Sequence, residues 1–511
     1  MSATPHLLPD DPGLLKAMVL AERAESERLR LIIKELQRHR FGRRAETLPA
    51  DQLLLGLEEA EQVEASGLAA AEEAASDARA ARVAKRRTNR GALPAHLPRI
   101  ESVIDVESRT CPCCSGTLHR IGEDVSERLD IVPAQLRVLV VRRPKYACRS
   151  CEDVVVQAPA PARLIEGGLP TDAAVAQVLV SKYADHLPLY RQAQILARQG
   201  LTLDRSTLAD WVGRAGFLLR PVHERLLVVL KTSQKLFADE TTAPVLDPGR
   251  GRTKTGQLWA YARDDRPWGG TDPPGVAYVY APDRRAERPI VHLAGFRGVL
   301  QVDGYGAYKV LADRGEVRRA FCWSHVRRRF YELAQANPAP IASEALARIA
   351  ALYRVEGEIR GRSPEQRQAV RQARSRPVTE AFEPWLREKL ALVVSQKSKL
   401  AEAIRHVLSR WAGLGLFLDD GRVELDSNVV ERSIRPLALT RKNALFAGSD
   451  EGAEHWAVVA SLIETCKLVG VEPQTYLTDV ITRIVAGHPN SRIDELLPWA
   501  YPTTPDLKAV A

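Results

Sequence analysis

Apolar residues recur along this chain with two different periods, and the switches between them divide it into segments. Between residues 11 and 80, Leu15, Leu29, Ile32, Ile33 and Leu36 return at helical spacing, in a stretch rich in Ala, Glu, Leu and Arg and poor in Gly and Pro. This predicts an amphipathic helix that either pairs with a second copy or folds onto its own domain. It breaks at Arg40-Phe41-Gly42-Arg43-Arg44, an Ala/Glu-rich stretch follows at 58–82, and residues 85–91 form a basic arm. Residues 131–145 alternate apolar and basic positions as strands do, and Ala158-Pro159-Ala160-Pro161 reads as a linker. Helical spacing resumes over 169–230. There a Gly200-Leu201 turn separates one helix from a second whose cap is Asp204 or Ser206. The pair predicts either a DNA-reading helix-turn-helix or a plain helical hairpin.

From 234 the period shortens. Apolar runs at 236–246, 257–262 and 276–280, divided by Gly/Pro/Arg-rich turns, predict an antiparallel meander. A helical segment near 284–294 leads to a fourth strand at 298–303, a fifth at 317–322 and a helix at 323–334. Residues 341–415 are helical and polar and carry no motif of their own, a helix containing Glu431 follows, and a last helical unit covers 455–500. The order β-β-β-α-β-α-β, then helices, predicts a multidomain α/β protein with a ribonuclease H-like core. Its expected parts are a helical segment with a basic arm at 1–90, a zinc-ribbon-like module at 100–155 and a helix-turn-helix-like region at 165–230. The core follows at 231–455, with a helical insertion at about 335–420, and a C-terminal helical element at 456–511.

Three acids stand out against this pattern. Asp239 and Asp303 each end an apolar strand, and Glu431 lies on a helix. Parallel neighbours would bring the two aspartates side by side. The gap from Asp303 to Glu431 is twice that from Asp239 to Asp303, which requires the insertion. Carboxylates are hard oxygen ligands suited to Mg²⁺ or Mn²⁺, so two strand aspartates and a helical glutamate predict a two-ion phosphoryl-transfer site. Asn428, Glu431, Arg432 and Arg435 share one helical face, which would offer guanidinium groups to the same backbone. His325, Arg328 and Arg329 follow the fifth strand as further phosphate contacts. Glu240 should face away from Asp239, and Asp426 resembles a helix cap.

Length and charge sharpen the partner. At 511 residues the chain suggests roughly three or four domains. The net charge of +9 is modest, but basic clusters at 38–44, 85–90, 142–145, 318–329 and 432–442 flank the acidic motifs, which points to a polyanion. Arg43 and Arg44 belong to the first of these. Cys111-x-x-Cys114 and Cys148-x-x-Cys151 offer four thiolates for structural Zn²⁺, with Cys113 a competitor. Cys322 and Cys466 read as ordinary buried thiols. No apolar stretch approaches membrane-spanning length and the N-terminus shows no secretion signal, so the expected location is the cytoplasm, associated with the nucleoid when DNA is bound.

The residues together resemble transposases of the IS66 type along nearly the whole chain. The signatures are Arg38-His39-Arg40-Phe41-Gly42-Arg43-Arg44-Ala45-Glu46, the paired CxxC knuckles, Asp303-Gly304-Tyr305 and the run from Cys322-Trp323-Ser324-His325 to Phe330. Leu418-Asp419-Asp420-Gly421, Asp426-Ser427-Asn428-Val429-Val430-Glu431-Arg432 and the run from Glu464 to Pro473 complete them. The resemblance implies a DDE transposase with Asp239, Asp303 and Glu431 as its triad. It further implies binding to the inverted repeats of its own insertion sequence and to target DNA, and small accessory proteins as candidate partners. The chemistry at two ends implies a homo-oligomer on DNA. Two positions depart from the usual pattern: Cys113-Cys114-Ser115 in the first knuckle, and Asp426-Ser427-Asn428 in place of Asp-Asn-Asn. A nuclease on the same fold and a catalytically inactive, transposase-derived DNA-binding protein are the alternatives.

Overall fold

The computed structural model describes residues 113, 115, 136–147, 155–247, 252–336, 339–392 and 397–503. Arg43, Arg44 and the four knuckle cysteines Cys111, Cys114, Cys148 and Cys151 lie outside the described residues, as do the N-terminal helix and basic arm. A compact unit begins at Leu136 and holds all of the secondary structure described. At its start, β1 (Lys145–Ala147) and β2 (Val155–Gln157) pair antiparallel on either side of the second knuckle in sequence. The strand pattern read over 131–145 is not formed at 136–144, where Val138, Leu139 and Val140 are exposed. An alternating strand is held by a layer covering its apolar face, and those side chains have none.

Five strands build the main sheet: β3 (Lys235–Asp247), β4 (Arg252–Arg263), β5 (Gly275–Ala281), β6 (Gly298–Val302) and β7 (Val317–Phe321). Their order is β5-β4-β3-β6-β7. The first three form an antiparallel meander, whereas β6 joins β3, and β7 joins β6, in parallel. β3 is central and covered on both faces, which is why Leu236, Phe237 and Ala238 are consecutive apolar residues with no exposure at all.

Helices α1 (Asp172–Tyr183), α2 (Leu189–Arg198) and α3 (Arg205–Leu230) precede the sheet, and α4 (Glu287–His292) joins β5 to β6. The α2–α3 turn places Gly200 at φ +85°, a conformation glycine adopts without a Cβ clash. Asp204 is the N-cap of α3, without a side-chain capping bond, and the helix runs on for 26 residues. Its buried stripe, from Leu208 to Leu230, lies in the same apolar core as the sheet.

After β7 come α5 (Trp323–Ala336), α6 (Pro340–Ile359), α7 (Pro364–Val370), a π-helical turn (Arg371–Ser375), α8 (Arg376–Leu392) and α9 (Lys399–Leu408). These have their own apolar cluster, built on Phe330, Ile349, Leu352, Phe382 and Ile404. It reaches the sheet through Val299 and Ala320. The chain then returns to the first core with α10 (Asn428–Ala444), α11 (Asp450–Val469) and α12 (Pro473–Val485).

A domain boundary at 455/456 falls inside α11, which is buried at every residue from His455 to Cys466. This helix also shields the sheet edge. Ser461 Oγ accepts the Tyr278 N–H at 2.8 Å, while Thr465 Oγ1 accepts from Val276 N at 3.1 Å and donates to its carbonyl at 3.0 Å. An edge strand whose polar groups are met by side chains cannot recruit another strand there.

Candidate active site

The parallel pairing of β3 with β6 sets the first two acids. Lys235 stands beside Val299, Leu236 beside Leu300 and Phe237 beside Gln301. Continued two residues past the last paired position, the same offset sets Asp239 against Asp303, which follows the end of β6, and the Asp303 charge acts on Asp239. Each takes a backbone N–H: Glu240 N to Asp239 Oδ1 and Tyr305 N to Asp303 Oδ1, both at 2.8 Å.

Glu431 is in the first turn of α10, and the loop before it is stitched to the ends of β6 and β7. The fully buried Gln301 donates to the carbonyls of Glu424 (2.7 Å) and Asp426 (2.9 Å) and accepts the Glu424 N–H (3.3 Å). Trp323 N donates to Leu425 O at 3.0 Å, and Ser427 N donates to the Cys322 sulfur at 3.2 Å. Five hydrogen bonds thus fix where α10 begins relative to the strand that ends in Asp303. Sequence reading passed over Gln301. The signal was present, since a glutamine inside the apolar run Gly-Val-Leu-Gln-Val must bond to something when buried.

The carboxylates repel. Burial first, then the charge of Asp303, pushes Asp239 up to about 7; the Glu240 N–H opposes this, and the charges of Glu240 and Glu431 add to it. An unfolded aspartate titrates at ~3.9, so the folded protein keeps a proton that the unfolded chain has lost. The resulting penalty is absent below about pH 4, grows as pH rises and is complete above about pH 7. In chelator-containing buffer, the melting temperature of the wild type should therefore fall between about pH 5 and pH 8 more steeply than that of Asp239→Asn. Parallel curves would show that Asp239 is not under this strain.

The neighbouring acids are engaged elsewhere. Glu240 is held by Arg284, whose Nε donates at 3.0 Å, and by Tyr308 Oη at 3.3 Å. Asp426 accepts the backbone N–H of Asn428 at 3.2 Å and its amide at 2.9 Å, tying down the helix start one residue before the N-cap, Ser427. Asn428 therefore turns back on Asp426. Glu431 instead accepts from Ser427 Oγ at 3.2 Å and has His325 Nδ1 3.7 Å away. Arg432 and Arg435 are exposed. Arg328 is exposed and spends its charge on Glu332, one turn along α5 at 3.1 Å, whereas Arg329 is exposed on the same helix.

Cys322 and Cys466 are indeed buried free thiols, but Cys322 is more than packing. Its sulfur, a ring nitrogen of His325 and a carboxylate oxygen of Glu431 lie within 4.8 Å of one another, a donor set that could hold a metal ion. Burial pushes the thiol up to about 11. Asp239 and Asp303 are not part of this cluster, whose thiol and imidazole donors are softer than carboxylates. The spacing Cys322-x-x-His325 was the available sign.

A family profile described as the transposase IS66 family matches residues 167–455, a span that contains Asp239, Asp303 and Glu431. This chain belongs to that family. Profiles for the zinc-finger binding domain of transposase IS66 match 108–152, which includes all four knuckle cysteines, and for the IS66 C-terminal element 461–499. One described as "Transposase C of IS166 homeodomain" matches 28–101. The chain is 48% identical to uncharacterized protein y4jD of Sinorhizobium fredii (strain NBRC 101917 / NGR234), over 98% of each protein. Uncharacterized protein y4qI of the same strain is 44% identical, over 97% of this chain and 98% of that protein. Membership of the IS66 family makes the chain a transposase with a mixed α/β core. Among the described residues, no helix is long and apolar enough to cross a membrane.

Proposed function

We propose that this IS66 transposase is of the DDE type, with a ribonuclease H-like core. In this reading it binds the terminal inverted repeats of its insertion sequence, cleaves a phosphodiester there and joins the freed 3′ end to target DNA. The observation that supports the reading is the parallel β3–β6 register, which continued two residues sets Asp239 against Asp303, with Asp239 pushed up to about 7 by burial and then by the Asp303 charge. Half-buried, mutually repelling carboxylates favour a divalent cation, and hard oxygen donors favour Mg²⁺ or Mn²⁺.

Asp239 and Asp303 would be shared ligands and Glu431 would hold the second of two ions. Such ions, when bound, lower the pKa of water and neutralise charge on the attacking and leaving oxygens. The protein's own contribution is to hold the reactants. Asp239 and Asp303 are fixed by β3, β6 and their backbone N–H bonds, and Glu431 by the Gln301-anchored loop. Exposed Arg432 and Arg435 on α10 are placed to take backbone phosphates in bidentate fashion. In the first step water forms a bond to phosphorus and the 3′ oxygen leaves as a hydroxyl. In the second that hydroxyl attacks a target phosphodiester and displaces its 3′ oxygen.

In the same reading Cys111, Cys114, Cys148 and Cys151 hold structural zinc. Arg43, Arg44, His325, Arg328 and Arg329 add DNA contacts, and the chain acts in the cytoplasm as a homo-oligomer bridging two ends, with the element's small proteins as partners. The test uses the full chain, Mg²⁺ and a duplex carrying the element terminus with its flank. A nick at the element boundary leaving a 3′ hydroxyl is expected. Absence of cleavage with both Mg²⁺ and Mn²⁺, on duplex that the protein demonstrably binds, would sink the catalytic reading.

A further inference from the structure

We infer that the helical insertion completes a phosphate-binding cleft at the edge of the active site, using two matched pairs of residues. His325 and Arg329 lie one turn apart on α5. His406 is in the last turn of α9, and Arg410 lies two residues past that helix's final residue, again four positions on. The helices α5 and α9 pack against each other. The cleft rests on the DNA reading above and adds to it a function for the insertion, which carries no motif of its own.

Arg410 shows what the cleft is for. One terminal nitrogen donates to the carbonyl of Gly304, next to Asp303, at 3.3 Å; the other reaches His406 O at 3.3 Å and Ser409 Oγ at 3.2 Å. Its Nε is buried with no hydrogen-bond partner. Gly304 has φ +104°, and a Cβ there would lie 2.5 Å from that Nε, so only glycine lets the guanidinium approach so closely. His325 Nδ1 is likewise buried without a hydrogen-bond partner.

The surroundings of this group are cationic. Burial, then the charges of Arg410, Arg329 and His325, holds His406 down to about 4. Burial and the charge of Arg329 pull Arg410 below its ordinary value, with Asp303 opposing and Arg319 adding. Glu431, 3.7 Å from His325, and Asp303 offset this charge only in part, and cations held together are costly unless a further anion joins them. Beside three carboxylates, the anion that gains from both sets is a phosphodiester: the acids hold its metal ions and the cleft holds its oxygens. Neutral His406 and two guanidinium groups supply donors in several directions, which suits a tetrahedral phosphate.

The experiment measures binding of the full-length protein to a duplex of about 40 base pairs carrying the element end, by fluorescence anisotropy across a KCl series. Each lost phosphate contact should reduce the slope of log K against log salt by about 0.9. Arg329→Ala and Arg410→Ala should each show that loss, and the double variant about twice it. Arg410→Lys should keep the slope. Arg374→Ala, an exposed insertion arginine paired with Glu358, should leave it unchanged. If Arg410→Ala does not fold, Arg329→Glu, at an exposed position, supplies the same readout. Unchanged slopes in variants whose circular dichroism matches the wild type would overturn the cleft while leaving the transposase reading intact. A wild-type chain that binds no duplex at all would overturn both.

Discussion

Asp239→Asn, Asp303→Asn and Glu431→Gln are each expected to lower cleavage of the element end by at least about a thousandfold, equivalent to ~4 kcal/mol of barrier, with duplex binding retained. Each amide keeps the size of the side chain and removes one negative charge from a site whose acids already repel one another. Asn at 239 relieves a carboxyl held near 7 by burial and by Asp303, so this variant should be more stable than the wild type above pH 7 in the absence of metal, though inactive. Loss of activity together with a gain in stability separates a functional carboxylate from a structural one. Glu431→Gln is the sharper case, because Ser427 Oγ can still donate to the amide oxygen and hold the rotamer. Single-turnover cleavage of a labelled terminus measures the effect. Activity within about tenfold of wild type in any one variant would remove that residue from the triad.

The strands were legible because β3 and β6 are central, and continuous apolar runs ending in an acid mark both their type and their working end. The register followed from topology, since parallel neighbours joined through a single crossover leave few alternatives. Local patterning did not reveal that α11 belongs to the same core as the sheet. Its residues are mixed in polarity, yet Ser461, Thr465 and His455 are buried because they bond to β5 or pack against α3. The three acids could be picked out from the chain, whereas the bonds that fix the loop before Glu431 could not. Cys322 looked inert and Gln301 was overlooked because both act on backbone groups of a loop more than 100 residues away, a pairing that no periodicity encodes. Arg328 and Arg329 looked equivalent. Glu332, four residues beyond Arg328, pairs with it, whereas the charge of Arg329 acts on His406 and Arg410.

The insertion's polar composition conceals the other large effect. Arg371 has no exposure at all, on a π-helical turn between α7 and α8. It donates to both oxygens of Glu356 (2.8 and 2.7 Å) and to the carbonyls of Phe417 (2.9 Å) and Asp420 (3.2 Å). Arg367, one turn earlier and also buried, bridges Glu356 at 3.4 Å and Glu424 at 2.8 Å. Arg371→Ala leaves Glu356 charged, largely shielded from water and half-paired and strands two carbonyls, so it should destabilise the unit by about 3–5 kcal/mol. Glu356→Ala leaves two buried guanidinium groups without their shared partner and should cost about as much. A fully apolar replacement of the triad, Arg367→Met with Arg371→Leu and Glu356→Leu, should recover much of the stability, because the ions lose most of what they gain to desolvation. It should not recover cleavage to the same degree. Arg367 also fixes Glu424, whose backbone is clamped by Gln301 at the start of the loop that presents Glu431. Urea midpoints and end cleavage measured on the same preparations give the comparison. An Arg371→Ala midpoint indistinguishable from wild type would mean that the network is not closed in solution. A triple variant with full cleavage would mean that the loop before Glu431 needs no anchor from the insertion.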